Sequence, residues 1–111
     1  MITKKVDHSE YKEVLKGILQ RTLVYGDSTL MTEFVLKKGS EIPSHSHPHE
    51  QTGYLLSGRI NLIIAGEKHE FSPGDSWNIA GNIEHKAEIV EDSVAIEVFS
   101  PVREDFLPEK R

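Results

Sequence analysis

The chain has 111 residues, 37% hydrophobic and 28% charged, with no cysteine and a formal net charge of −5. That length builds one domain around a modest core, and the lack of cysteine excludes disulfides and thiolate metal ligands. The acidic balance, with basic residues scattered rather than massed, argues against a nucleic-acid partner, and no apolar run approaches the ~20 residues of a membrane span.

The start, Met1-Ile2-Thr3-Lys4-Lys5, is lysine-rich and lacks the apolar stretch of a signal peptide, so a cytoplasmic location is expected. Residues 9–19 suggest one short helical turn, capped by Ser9 with Tyr11, Val14 and Leu15 on one side and cut off by Gly17. Turn signals follow at Tyr25-Gly26-Asp27-Ser28, Lys38-Gly39-Ser40, Leu56-Ser57-Gly58, Ala65-Gly66-Glu67-Lys68, Ser72-Pro73-Gly74-Asp75 and Ala80-Gly81-Asn82. Between them, 30–36, 53–56, 59–65, 76–79, 87–90 and 94–99 read as short strands. Such spacing predicts an all-β sandwich or barrel that closes its edges around a pocket lined by inward residues. The run 60–64 is apolar on both faces, which fits a thick core or a subunit interface, and a homodimer is expected. Pro108-Glu109-Lys110-Arg111 reads as a frayed tail.

The chemistry concentrates in Gly39-Ser40-Glu41-Ile42-Pro43-Ser44-His45-Ser46-His47-Pro48-His49-Glu50-Gln51. An extended strand alternates faces, so His45, His47, His49 and Gln51 would project to one side, and a distant histidine would complete a metal site from a neighbouring strand. A His-x-His pair alone is a weak signal in a chain with six histidines. Its frame is stronger: Gly39 stands six residues before His45, Gln51 four after His47, Gly58 seven after Gln51, and His85 eleven after Gly74.

With that frame the sequence resembles the cupin family over roughly residues 30 to 100. The first cupin motif reads Gly, five residues, His-x-His, three or four residues, Glu, six residues, Gly; every element is present except that Gln51 replaces Glu. The second maps without gaps from Gly74 to His85 and departs at Ala80 for Pro, Asn82 for Gly and Ile89 for Asn. The resemblance implies a conical β-barrel of jelly-roll type spanning 1–111 as a single domain. It also implies one divalent transition-metal ion, Zn, Fe, Ni or Mn, held by His45, His47, Gln51 and His85. Because these ligands bring no negative charge, the ion would keep its full +2 and favour a small anionic substrate. His49 shares the ligands' parity, but Pro48 and a bend would turn it away. Glu50 has the opposite parity and is read as outward, and His8 and His69 lack any frame and are read as surface residues.

The last strand run places Ala95, Glu97 and Phe99 on one face and Ile96 and Val98 on the other. If Ile96 and Val98 pack in the core, Glu97 lines the pocket mouth as a base; otherwise it faces solvent. Arg103 either binds a substrate carboxylate or pairs with Glu104 or Asp105. The segments His-Pro-His-Glu-Gln and Gly-Tyr-Leu-Leu-Ser-Gly, with the ending Phe-Ser-Pro-x-Arg-Glu-Asp, look like the KdgF-type cupins of pectin and alginate breakdown. Those ketonise 4,5-unsaturated uronates. The resemblance assigns catalytic roles to Glu97 and Arg103 and substrate contact to Phe99, with Glu97 one methylene longer than the family's Asp. Two other readings stand beside it: a metal-dependent dioxygenase, and a non-enzymatic small-molecule-binding module.

Overall fold

Inward and outward side chains alternate most regularly over Leu30–Leu36, Ser76–Ile79 and the first half of Glu50–Ile64. The computed structural model, which describes residues 2–7 and 10–108, joins eight strands in one bent antiparallel sheet. They are β1 (Lys12–Leu15), β2 (Ile18–Tyr25), β3 (Leu30–Leu36), β4 (Glu41–His45), β5 (Glu50–Ile64), β6 (Glu67–Phe71), β7 (Ser76–Ile79) and β8 (His85–Ser100), followed by a 3-10 turn at Glu104–Phe106. Hydrogen bonding runs β1-β2-β3-β8-β5-β6, with β4 also on β8 and β7 also on β5.

Two long strands organise the barrel. β8 pairs with β4 through its first residues, His45 opposite His85, and with β3 through its last, Leu30 opposite Phe99. β5 carries β7 at its start, Gln51 opposite Ile79, and β6 at its end, Ile60 opposite Phe71, while pairing with β8 along its length. Each therefore serves both halves of the bent sheet, which wraps one interior, the expected jelly-roll barrel. The bend in β5 sits at Gly58, between register shifts against β8. Its φ is +92°, and a Cβ there would lie 2.0 Å from Ser93 Oγ, so both conformation and space require glycine.

The interior is filled by Ile18, Leu30, Leu55, Ile79, Ala95 and Phe99, each 2% exposed or less; burying a Leu, Ile or Phe contributes about 1.5–3 kcal/mol. Ile60 and Leu62 join this core and Ile64 packs against it, so core packing accounts for one face of the run 60–64. Among the described residues no helix is long and apolar enough to cross a membrane.

Several expectations are corrected. Where a helical turn was expected over 9–19, the chain from Lys12 onward forms a β-hairpin: β1 and β2 meet across Lys16-Gly17, with Gly17 at φ +79° making the turn. Ser9, its expected cap, lies outside the described residues, as do His8 and 109–111 of the tail. The runs 53–56 and 59–65 form one strand through the Gly58 bulge, and 87–90 and 94–99 likewise belong to one β8.

Candidate metal centre and its cavity

Three histidines reach one point from two parts of the chain. His45 ends β4, the chain leaves the sheet and bends at Pro48-His49, and β5 resumes at Glu50. His85 opens β8 directly opposite His45. One ring nitrogen from each of His45, His47 and His85 lies within 4.8 Å of the others, close enough for one shared ion. The uniform strand parity expected over 45–51 is absent, because the bend interrupts the strand; it is the bend and the β4–β8 pairing that bring the rings together.

The second nitrogen of each ring is tied down locally. Nδ1 of His45, His47 and His85 lies 2.9, 3.0 and 2.8 Å from the carbonyl oxygens of Pro43, His49 and Ile83. A carbonyl only accepts, so each Nδ1 carries the hydrogen and each Nε2 presents a lone pair, the tautomer a metal requires. Burial lowers the pKa of His47 and His85, and the nearby Arg103 charge lowers that of His47 further, so both rings favour the neutral form that binds metal.

His47 Nε2 and Gln51 Oε1 are buried with no hydrogen-bond partner. The Gln51 side chain lies against the His47 ring, so two acceptors stand together without a donor, a state that costs about 1–3 kcal/mol per group. A cation would satisfy both, and the residues fit one. His49 Nδ1 is also unpartnered, but His49 is absent from the convergent set. Its ring packs edge-on against His47 at 5.5 Å and Phe99 at 6.5 Å.

Gln51 projects inward from β5, 6% exposed, and its Nε2 donates to Glu97 Oε1 at 2.5 Å. A carboxylate accepts only from the amide nitrogen, which leaves the Gln51 oxygen as the end free for a cation. Trp77 Nε1 donates to the same Glu97 oxygen at 3.2 Å. Burial pushes the Glu97 carboxyl up to about 7, against the opposing pull of the Trp77 and Gln51 hydrogen bonds and the Arg103 charge. The condition attached to Glu97 is reversed: Ala95 and Phe99 pack in the core, whereas Ile96 and Val98 are only half-buried on the outer face. The barrel interior lies on the Ala95 side of β8, and Glu97 faces it with them.

Arg103 returns to the barrel because Phe106 docks there, edge-on to Phe34 at 5.9 Å and Phe99 at 5.7 Å. The guanidinium stacks over Phe99 at 4.9 Å and Phe106 at 4.2 Å. Its Nε and Nη2 donate to Asp105 at 3.0 and 2.6 Å, which holds the Asp105 carboxyl below its usual value. Of the two alternatives for Arg103 the structure shows the pairing with Asp105, and the paired guanidinium also lines the cavity.

That cavity, about 520 Å³, has His45, His85 and Gln51 on its wall together with Glu97, Phe99, Arg103 and Asp105; Ile18, Phe34, Leu62 and Ala87 make its apolar side. His69 lies elsewhere, beside Glu67 on β6. Sequence reasoning missed Trp77, and it named Asp105 only as an alternative partner of Arg103, the pairing the structure shows. Strand parity with Ile79 would have turned Trp77 inward.

Residues 32–100 match the family described as Cupin domain. The chain belongs to the cupin family. A relative, the pectin degradation protein KdgF of Dickeya dadantii (strain 3937), is 32% identical over 103 residues, covering 91% of this chain and 94% of that protein. The structure of KdgF from Halomonas sp. superposes with a TM-score of 0.86 at 30% identity, over 92% of this chain and 96% of its own. An RmlC-like cupin from Shewanella frigidimarina NCIMB 400 reaches 0.90 at 24% identity, covers 96% of both chains, and shares the fold.

Three of the four departures from the cupin motifs have physical reasons, and nothing in the structure explains Ala80. Asn82 holds φ +66°, a left-handed conformation that Asn adopts more readily than other side-chain-bearing residues, and its N–H donates to the His47 carbonyl at 2.7 Å. Ile89 is core, 4% exposed, where Asn would bury an amide. For Gln51 the reason is Glu97: a carboxylate at 51 would face another carboxylate at hydrogen-bond distance.

Proposed function

We propose that this cupin ketonises 4,5-unsaturated uronates of the kind released in pectin or alginate breakdown. The observation that carries the reading is that the Glu97 carboxyl, the Phe99 ring and the Arg103 guanidinium line the same cavity as His45 and His85. The relationship to a pectin degradation protein over nearly the whole chain supports it. His45, His47, His85 and the Gln51 oxygen would hold one divalent ion, Zn, Fe, Ni or Mn, and that ion would supply Lewis acidity toward substrate oxygens.

The chain's own residues do the rest. Arg103 spends its Nε/Nη2 edge on Asp105 and offers Nη1, without a partner among the described residues, to the substrate carboxylate. The Phe99 ring packs against the sugar. Glu97 takes the proton of the anomeric hydroxyl as the bond from C1 to the ring oxygen breaks, which leaves an aldehyde at C1 and an enolate at C5. It returns a proton to C4 as C5 becomes a ketone, so atoms and electrons balance as an isomerisation with no co-reactant.

A second reading, a metal-dependent dioxygenase, draws support from the apolar side of the cavity around Ile18, Phe34 and Leu62. Homodimerisation belongs to the proposal too, through the outer face where Met31, Tyr54 and Leu56 stand exposed; sedimentation as a monomer at micromolar concentration would remove it. For the reaction, metal-loaded protein is mixed with unsaturated galacturonate and the ultraviolet absorbance of its conjugated double bond is followed. Faster loss than the spontaneous rate is expected, and loss at the spontaneous rate overturns the uronate reading.

A further inference from the structure

Glu97 is held on one side only. Its Oε1 accepts from both Gln51 Nε2 and Trp77 Nε1, at 2.5 and 3.2 Å. Both partners are N–H donors at those atoms, and an indole nitrogen cannot accept. A proton on this carboxyl therefore sits on Oε2, and no hydrogen bond engages Oε2 among the described residues.

The indole that makes the second bond is itself locked. Trp77 is 7% exposed and lies across Gly53, where a Cβ would come within 2.2 Å of its Nε1 and Cε2. Phe71 meets the ring edge-on at 4.9 Å. Gly53 stands directly opposite both Trp77 on β7 and Glu97 on β8, so one missing side chain admits the indole to the carboxylate. The ring has little freedom to turn its N–H elsewhere.

We propose that Trp77 is a positioning residue: with Gln51 it pins Oε1 of Glu97, so that Oε2 alone exchanges protons with a ligand in the cavity. The proposal rests on the reading of Glu97 as the acid/base group. It assigns to Gly53 the role of making room for the indole, and it explains why a glycine stands inside an otherwise continuous strand.

Two measurements test it. Trp77 is the chain's single tryptophan, so ultraviolet resonance Raman at pH 8.5 reads its indole N–H bond without interference. Glu97→Gln exchanges a charge-assisted bond for a neutral one, and the band that tracks indole hydrogen bonding should move toward its weak-bond position. An unchanged band means that the bond does not exist and ends the proposal. Trp77→Phe keeps an aromatic ring and removes the donor. It should lower kcat for uronate conversion about tenfold, with KM within twofold and metal content unchanged, as for a group that orients but does not bind. If kcat and KM stay at wild-type values, Trp77 is only packing and the proposal falls. If wild type itself fails to convert the uronate, that ends the functional reading, while the Raman band still decides whether Trp77 holds Glu97.

Discussion

The two ends of the cavity are held in different ways. At the imidazole end each ring is fixed by a backbone carbonyl two residues away: Pro43 for His45, His49 for His47, Ile83 for His85. At the carboxylate end Glu97 is fixed by side chains 46 and 20 residues away in sequence, Gln51 and Trp77. A locally anchored ring depends little on the rest of the barrel. A carboxylate hung on distant donors depends on the closure of β5, β7 and β8 around it. Gln51 links the two ends, with its oxygen turned to the histidines and its nitrogen to Glu97.

The sharpest way to break this division is to empty one end alone. His47→Ala should abolish metal binding, measured as metal content after dialysis, whereas His49→Ala should retain it; equal loss would mean that the ligand set is wrong. Next in size, Glu97→Gln should lower turnover by about 10²–10⁴ while keeping metal. Loss of metal in that variant would show that the two ends are not separable. Arg103→Ala should act mainly on KM, by about 10–100-fold, the scale of a charge-assisted hydrogen bond; a fall confined to kcat would contradict a carboxylate-binding role.

Gln51→Glu probes the link. Metal should bind more tightly and turnover should drop several-fold, because the carboxylate lowers Lewis acidity and sets a second negative group against Glu97. Tighter metal with unchanged turnover would reduce Gln51 to completing a coordination shell.

The smallest effect is on stability without metal. Glu97 is raised from 4.5 to about 7 in the fold, so the fold prefers its neutral form. That contribution is fully present below about pH 4.5 and is lost as pH rises through about 7. Glu97→Gln should therefore gain on wild type at pH 8, by on the order of 1–3 kcal/mol, and gain nothing at pH 4.5. His47 and His85 are common to both proteins and cancel. An equal difference in Tm at both pH values would mean that burial does not penalise the charge.

The contrast between the two ends also explains what the sequence disclosed. His45, His47 and His85 were legible because their frame is a matter of spacing along the chain. Glu97 was left open between pocket and solvent because alternation names two faces without saying which one is inside. Parity with Ile79 marked Trp77 only as inward-facing; its role depends on Gly53 opposite it. In the fold, β3 and β7 match the expected runs to the residue because turns bound them on both sides. β5 and β8 were split because Leu56-Ser57-Gly58 reads as a turn and Glu91–Ser93 as polar, whereas the β5–β8 pairing is only shifted there and resumes on either side. β6, Glu67–Phe71, was missed because its side chains are polar or charged except the last.

Turnover in deuterated water, followed by proton NMR, tests most directly whether the two ends act on one ligand. If Glu97 delivers the proton from one side of the cavity, metal-loaded wild type should give product with one deuterium at C4, on a single face, faster than the spontaneous reaction. Glu97→Gln should lose both the rate and the facial preference. Deuterium spread over both C4 faces at the spontaneous rate would contradict the account.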